Sequence, residues 1–430
     1  MPCQISHSLI RFLIAAIDQL LIAQTKTIIE NKDFQTLLAT WSCAYYLTKC
    51  SDQKATKTKI MDMKRKELCY LTKGAHEIDN IISHKILDEQ EMPGHEPLSL
   101  LITSHIFDAS DNFDIAILNQ LAQTCAYVFT PFLAGINALV FDAHDFTKLE
   151  YFSLKEIHTS PKFKALVNLA KEQYSSFLGL VIPEVYYPSI HFAEQSQNHF
   201  LNLQTDIKRV VAGSGTFATA AVIMQVFEET GWFLDMLGMP LQQKDKALAF
   251  GSVPHLEQSL RPMILQIFHT LFTISEIKEK ELSDLGIIAL CQVKEQDILV
   301  IYSVQTLRNL HFKASKETPI DKAHVLQTLL CVCRFAHYIR MIARRKTGEF
   351  LDAKSFENYL EQWLTKYVAS NPDVDRDLKR KYPLLSAKVT VAESSFIKNR
   401  YKCAIYLKPH LLSSEVSADI LLTTNVSVAK

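Results

Sequence analysis

The sequence predicts an α+β chain of mixed helical and β character, divided into more than one domain and ending in β-strands that pair between protomers. Three observations predict it. Apolar residues recur at helical spacing through much of the chain. Short continuous apolar runs (Leu98 to Ile102, Leu178 to Val185, Ile287 to Gln292) stand between them as buried strands. The end of the chain changes to period-two alternation, with no helix left to cover it. At 430 residues the chain exceeds one comfortable core and fits about two or three domains of roughly 150 residues.

Leu9 to Lys49 reads as helical. Phe12, Ala16, Leu20 and Ala23 share one face, and after Asn31-Lys32-Asp33 the spacing resumes through Phe34, Leu37, Leu38 and Trp41. Arg11 and Asp18 interrupt the apolar run from Leu9 to Ala23, and no small-residue cleavage site follows. It is expected as an amphipathic or buried helix of a soluble, intracellular protein, not a signal peptide or a membrane span. Helices are expected from Lys64 to Thr72 and from Glu77 to Asp88, then a turn from Met92 to Pro97. Phe107 to Asp111 reads as a loop capping a helix that starts near Asp114, carries Ile115, Leu118, Leu121, Ala122 and Cys125, and stops at Thr130-Pro131. Residues 142–176 are more polar and helical, residues 190–208 are weakly patterned, Phe217 to Leu234 is helical, and Lys244 to Ser259 is loop-like.

Composition shifts near residue 272. Charged Ile277 to Leu282, apolar Ile287 to Gln292 and β-branched Ile298 to Tyr302 follow. The longest clear helix spans Ala323 to Thr347, with Val325, Leu329, Val332, Ala336 and Ile339 as its stripe. Arg344, Arg345 and Lys346 sit where the dipole favours cations, and Gly348 stands just past the end. Ser355 to Val368 is a second amphipathic helix. Lys388 to Val391, Tyr401 to Leu407 and Ile420 to Val428 then read as strands whose edges need partners. The implied division is a helical segment over 1–50, a helix-rich α/β unit over 51–271, and a C-terminal unit over 272–430 with helix 323–347 and terminal strands 388–428.

Charge and composition exclude several classes. Lys plus Arg and Asp plus Glu are equal at 46 each, so there is no basic surplus for nucleic acid or an acidic membrane. A chain without net charge lacks self-repulsion and associates readily. Only 11 residues are glycine, against a usual share of roughly 7%, which argues against glycine-rich phosphate loops. Nine cysteines, an odd number mostly inside apolar runs, fit reduced buried thiols of a cytoplasmic protein.

Individual motifs carry little chemistry. Gly213, Gly215 and Ala218 match G-x-G-x-x-A before a helix, with Asp235 about twenty residues on, as a dinucleotide site requires. The residues upstream make a poor strand and no βαβ unit follows, so a plain helix start is the better reading. Cys333 and His337 share a helix face, but Cys331 points elsewhere, and zinc needs about four ligands. Asp108, Asp111 and Asp114 suit helix capping better than a cation. His144, His191, His199 and His255 have no nucleophile motif beside them. The basic clusters Lys64-Arg65-Lys66 and Arg376 to Lys381 are short and interleaved with acids, as solvated faces are. No catalytic, cofactor-binding or metal site is expected.

Several stretches together resemble the large subunit of the type VI secretion contractile sheath, the TssC/VipB family. They are Ile17-Asp18-Gln19 with Asp33 to Trp41; Lys66-Glu67-Leu68 with Pro93 to Pro97 and Leu100 to Ile102; and Phe107 to Ala122 with Pro131-Phe132. Next come Gly213 to Ala221 with Gly231-Trp232, and Lys280 to Ile287 with Leu290. The most specific is Arg334-Phe335-Ala336-His337-Tyr338-Ile339 with Arg344 to Gly348, Trp363, Tyr382-Pro383-Leu384 and Leu407-Lys408-Pro409-His410. The blocks run in family order across residues 17–412, and Trp41, Trp232 and Trp363 all fall on family positions.

The resemblance implies a structural protein with no active site and no cofactor. It would pair with a small sheath subunit of the TssB/VipA type, and the heterodimers would stack with other sheath protomers around an inner Hcp tube, on a baseplate, in the bacterial cytoplasm. Contraction would drive the tube outward. An AAA+ ATPase dismantles contracted sheaths of the family, and its recognition segment precedes the helix containing Asp18. Here about sixteen residues precede Ile17. Family positions held by glycine elsewhere have other residues here, such as Cys43 and His95. Trp41, Pro131, Phe132, Trp232, Arg334, Phe335, His337, Tyr338, Trp363, Pro409 and His410 are expected as motif core positions. Val389, Val391, Tyr401, Cys403, Ile405, Leu407, Ile420 and Leu422 are expected at the assembly interface, through strand pairing between protomers. The alternatives are a non-contractile sheath-like scaffold of a reduced secretion apparatus and a metal- or nucleotide-dependent enzyme.

Overall fold

A computed structural model describes residues 2–51, 55–68, 96–137, 141, 149, 153–154, 157–188, 210–238, 241–243, 246–248, 252–254, 270, 273–293, 298–315, 325–345, 353–369, 371, 376–393, 400–410 and 420–427. The expected helix at 77–88, the stretch 190–208 and the four histidines His144, His191, His199 and His255 lie outside them.

Helices α1 (Pro2–Glu30) and α2 (Lys32–Cys50) break at Asn31. Its side-chain oxygen accepts the N–H groups of Asp33 at 2.9 Å and Phe34 at 3.4 Å, which satisfies the first turn of α2. Leu38, Cys43, Tyr46 and Leu47 on α2 face the interior, and the Tyr46 hydroxyl donates to the Pro254 carbonyl at 2.8 Å. By contrast, α1 stands clear of the rest of the chain. Phe12 is 70% exposed and Leu20 67%, so the expectation of a buried or one-faced helix is corrected. Its apolar residues go all round, and no single face of one chain can bury them. Leu9–Glu30 is, by length and composition, a helix able to cross a membrane, with mean hydropathy 1.5.

The central sheet has the order β1-β2-β3-β8-β9, formed by β1 (Leu101–Phe107), β2 (Phe132–Ile136), β3 (Leu178–Ile182), β8 (Ile287–Gln292) and β9 (Leu299–Ile301). The first four run parallel and β9 closes one edge antiparallel. Helix α3 (Asn112–Val128) covers one face, together with α4 (Lys164–Lys171), α6 (Glu276–Asp284) and α7 (Arg308–Ser315). Helix α5 (Gly215–Thr230) and the end of α2 cover the other. Strand residues therefore alternate between two apolar cores. Ile287, Ala289 and Cys291 enter one, Ile288 and Leu290 the other. That is why these strands are written as continuous apolar runs. The sheet runs across the composition shift near residue 272, since β8 and β9 follow it.

Two short antiparallel pairs are formed apart from this sheet's ladder: β4 (Val185–Pro188) with β5 (Val210–Gly213), and β6 (Leu241–Gln243) with β7 (Lys246–Leu248). A third core belongs to the C-terminal part. There α8 (Leu326–Arg345) and α9 (Ala353–Thr365) pack on an antiparallel meander of β10 (Leu384–Glu393), β11 (Arg400–Pro409) and β12 (Ile420–Ser427). The short helix α10 (Arg376–Lys381) leads into β10.

Three local expectations move. The first strand begins at Leu101, not Leu98, and continues through Thr103-Ser104-His105 to Phe107, because its residues are only partly buried and need no apolar run. The helix expected to reach Leu234 ends at Thr230, where Gly231 adopts φ +75° and its N–H bonds the Phe227 carbonyl at 2.7 Å. Within 244–259, expected as loop, Lys246–Leu248 is a strand.

Candidate functional site

Among the described residues, the candidates with chemical potential are occupied in packing and capping. Gly213 and Gly215 stand at the entry to α5, but what approaches them is protein. A Cβ on Gly213 would overlap Cys43 Sγ, and one on Gly215 would overlap the Pro183 carbonyl and come within 2.8 Å of Leu290. The N-terminus of α5 is closed as well. Ser214 caps it, and the Tyr187 hydroxyl donates to the Ser214 carbonyl at 2.7 Å while its own oxygen accepts the Ala218 N–H at 3.0 Å. A pyrophosphate would need those donors free. The glycine pair is explained by close approach, not by a nucleotide.

His337 is buried on α8, and its Nε2 lies 3.1 Å from the Val128 carbonyl at the end of α3. A carbonyl only accepts, so Nε2 carries the proton. Burial pushes the imidazole pKa down to about 4, opposed by that hydrogen bond and, to a lesser extent, assisted by the Arg340 charge, and it is neutral at pH 7. Its role is to take up one orphan carbonyl of α3, which ends with Phe129 left-handed at φ 56°. Burial raises the Cys125 and Cys331 thiols to about 12 and Cys333 still higher. Among the described residues no group of three or more His, Cys, Asp or Glu is placed to hold a metal ion.

The three aspartates at the start of α3 cap and brace. Asp111 accepts the Phe113 N–H at 3.0 Å, and Asp108 accepts the Ser110 N–H at 2.9 Å. Asp114 is buried, accepts the Asp108 N–H at 2.7 Å and pairs with Arg65 at 2.6 Å. Thus Arg65, read as part of a solvated basic cluster, spends its charge on a buried carboxylate. Sequence spacing cannot reveal a partner 49 positions away.

The motif positions are distributed between interior and surface. Pro131, Phe132, Phe335, Pro409 and His410 are buried, and Trp232 stacks on Phe335 at 5.0 Å. Trp363 meets Phe335 edge-on at 6.0 Å. Arg334 lies over the rings of Phe227 at 4.4 Å and Trp232 at 4.9 Å. His410 bonds the Ala369 carbonyl at 3.0 Å through Nε2. Two positions are corrected. Trp41 is 53% exposed and Tyr338 is 40% exposed, so they belong to the surface.

The terminal strands are also placed differently from a simple interlock. Val389, Cys403, Ile405 and Leu407 bury their side chains in the chain's own third core. Strand β11 is central, with Ile405 opposite both Val389 and Leu422, and Leu407 opposite both Ala387 and Ile420. Its two edges are filled, so the expectation that Tyr401 to Leu407 offers pairing to another protomer is corrected. Only the outer edges of β10 and β12 remain. On β10, Leu384 bonds Tyr367 and Ala369, and the Val391 N–H donates to Glu357 Oε2 at 2.8 Å.

An assembly subunit is the class this arrangement defines: reactive side chains given to packing, an apolar helix left standing in solvent, and sheet edges at the far end. The residues match two tail sheath families in tandem. Residues 11–308 match the EvpB/VC_A0108 tail sheath N-terminal domain (VipB), and residues 315–426 match the EvpB/VC_A0108 tail sheath gpW/gp25-like domain. The chain belongs to this VipB sheath family and is a homologue of the type VI secretion sheath large subunit. The type VI secretion system sheath protein TssC1 of Pseudomonas aeruginosa is 24% identical over 442 residues, covering 98% of this chain and 86% of the relative. Among solved structures, the anti-feeding prophage helical sheath in its contracted state aligns with 90% of this chain and 78% of that one, at 10% identity and a TM-score of 0.39. The anti-feeding prophage baseplate aligns with 87% and 80%, at 10% identity and a TM-score of 0.38.

Proposed function

We propose that this chain is the large subunit of a contractile sheath in a type VI secretion system, working by assembly and not by catalysis. The observation that carries the reading is the tandem match to both tail sheath domains over residues 11–308 and 315–426. In this reading the chain pairs with a small sheath subunit in the cytoplasm. The heterodimers then stack on a baseplate around an Hcp tube, and an AAA+ ATPase dismantles the contracted product. Helix α1 supports the pairing, because an apolar helix exposed on all sides is buried in the working state by a second chain. Equal numbers of acidic and basic residues remove the self-repulsion that would oppose stacking.

The C-terminal sheet supplies the connection between protomers. Main-chain pairing at an outer edge joins chains through directional hydrogen bonds, and a heterologous contact of this kind grows an open helix. Contraction is then a sliding of rigid bodies that stay tied by strands. Deleting residues after Leu412 removes β12 and spares the central sheet. The truncated chain is expected to co-purify with the small subunit and to form no tubules. Tubules of normal length from the truncation would contradict the reading.

A further inference from the structure

We propose that the Arg334 guanidinium is a docking point for a second copy of this chain, and that the Asp108–Asp111 turn at the start of α3 in that copy supplies the carboxylate. The inference rests on the sheath reading above and deepens it by naming one contact through which copies stack.

Arg334 is held ready for an acid. It projects from α8 onto the rings of Phe227 and Trp232, 4.4 Å and 4.9 Å from their centroids, with the Tyr338 ring at 5.6 Å. Its Nε is buried without an acceptor, the side chain is otherwise half-buried, and among the described residues no carboxylate pairs with it. A guanidinium presents its N–H donors in one rigid plane and takes a carboxylate through two of them at once. A surface ion pair ordinarily contributes little, because two long side chains lose their freedom in forming it. Here the rings have already fixed the plane, so that loss is largely made in advance. Exposed Tyr338 borders the guanidinium and lies 6.3 Å from Trp363, and Arg with Tyr and Trp is the composition of interface hot spots.

The matching acid lies elsewhere on the same chain. Residues 323–348 hold five Lys or Arg and no Asp or Glu, whereas residues 86–147 hold nine Asp or Glu and no Lys or Arg. Within that acidic stretch Asp111 is exposed and uses Oδ1 to cap Phe113, and half-buried Asp108 uses Oδ1 for Ser110. Among the described residues Oδ2 of each has no partner and neither aspartate has a cation. Asp114 differs, being buried and paired with Arg65, while Lys64 and Lys66 are offset by Asp62 and Glu67 on their own stretch.

Helix α3 keeps the two charges apart. Its far end touches α8, where the Val128 carbonyl meets His337 and the Phe129 ring lies 4.5 Å from the Arg340 guanidinium. The 17 residues of α3 place the acidic turn about 25 Å from that junction, too far for an ion pair within one chain. Between copies the pair closes head to tail, the acidic end of one α3 against the Arg334 face of the next. A heterologous contact of this kind repeats into an open helix, where a self-matching contact would stop at a two-fold dimer. Opposite charges at the two ends also fix the direction of stacking.

Charge variants in the complex co-expressed with the small subunit test this. Asp108→Asn with Asp111→Asn keeps the side-chain caps and removes the charges. Arg334→Glu reverses the other partner. Each is expected to raise the concentration at which half the heterodimer polymerises by about tenfold or more. Arg334→Glu combined with Asp108→Lys and Asp111→Lys is expected to recover most of that loss. Unchanged polymerisation in the asparagine pair overturns the proposal. An effect of Arg334→Glu that the lysines do not recover, in a chain whose thermal unfolding is unchanged, also overturns it and moves the acid to the small subunit. Should Arg334→Glu unfold, the asparagine pair decides alone through salt: added NaCl weakens polymerisation of the unmodified complex and has a smaller effect on the pair. Equal salt dependence overturns the contact. If the unmodified chains form no tubules, the sheath reading fails, and sedimentation of the heterodimer then tests the contact by itself. Self-association weakened about tenfold by the asparagine pair upholds it, and equal behaviour of the two proteins overturns it.

Discussion

His337 and Gly215 show how single residues hold the fold. The folded chain keeps the His337 imidazole neutral down to about pH 4, whereas an unfolded chain takes up that proton near the ordinary value of 6.5. The folded value is the lower one, so the stabilisation is complete above about 6.5 and is lost as pH falls toward 4. Thermal unfolding at pH 7 and pH 5 is expected to show this loss, and His337→Gln, which keeps a donor for Val128, is expected to lessen it. Equal slopes in the two proteins would contradict this account. At Gly215 the backbone of α5 lies against the Pro183 carbonyl, and Gly215→Ala is expected to cost about 1–3 kcal/mol by overpacking, read as a lower midpoint in urea. The sequence showed that both positions matter but not what they do. The glycine spacing imitates a phosphate loop, and only the contacts of Cys43 and Pro183 reveal a packing demand. In the same way, Arg65 looks like a surface cation until Asp114 is found beneath it.

Among the elements, those with strong period were legible and those without it were not. The parallel strands β3 and β8 appear as unbroken apolar runs because both faces are buried. Alternation marks β10, where Val389 is buried and Lys388 and Thr390 are exposed. Strand β1 was misplaced by three residues because its burial is only partial, and the end of α5 was missed because Gly231 sits inside a hydrophobic stretch. The pairing of β10, β11 and β12 with one another is a matter of topology, which alternation cannot specify. The junction of α8, α9 and the turn after α5 rests on the Trp232–Phe335–Trp363 aromatic contacts. Phe335→Ala is expected to cost about 3–5 kcal/mol, since it empties the centre of that cluster. A urea midpoint close to that of the unmodified chain would show that the cluster is not what holds the C-terminal part together.

At the scale of the whole molecule, two features point beyond one chain: the solvent-exposed apolar helix α1 and the outer edge of β12, to which no strand is paired among the described residues. Composition announced the disposition to assemble through zero net charge, and the ordered motifs announced the family, but which surfaces are left open emerges only in three dimensions. The central claim is that this chain does mechanical work as part of a polymer. Electron microscopy of the chain co-expressed with its small-subunit partner tests it most directly. The account predicts long helical tubules of cogwheel cross-section containing both chains. Discrete, non-polymerising particles in which α1 is already covered by the chain's own residues would contradict it.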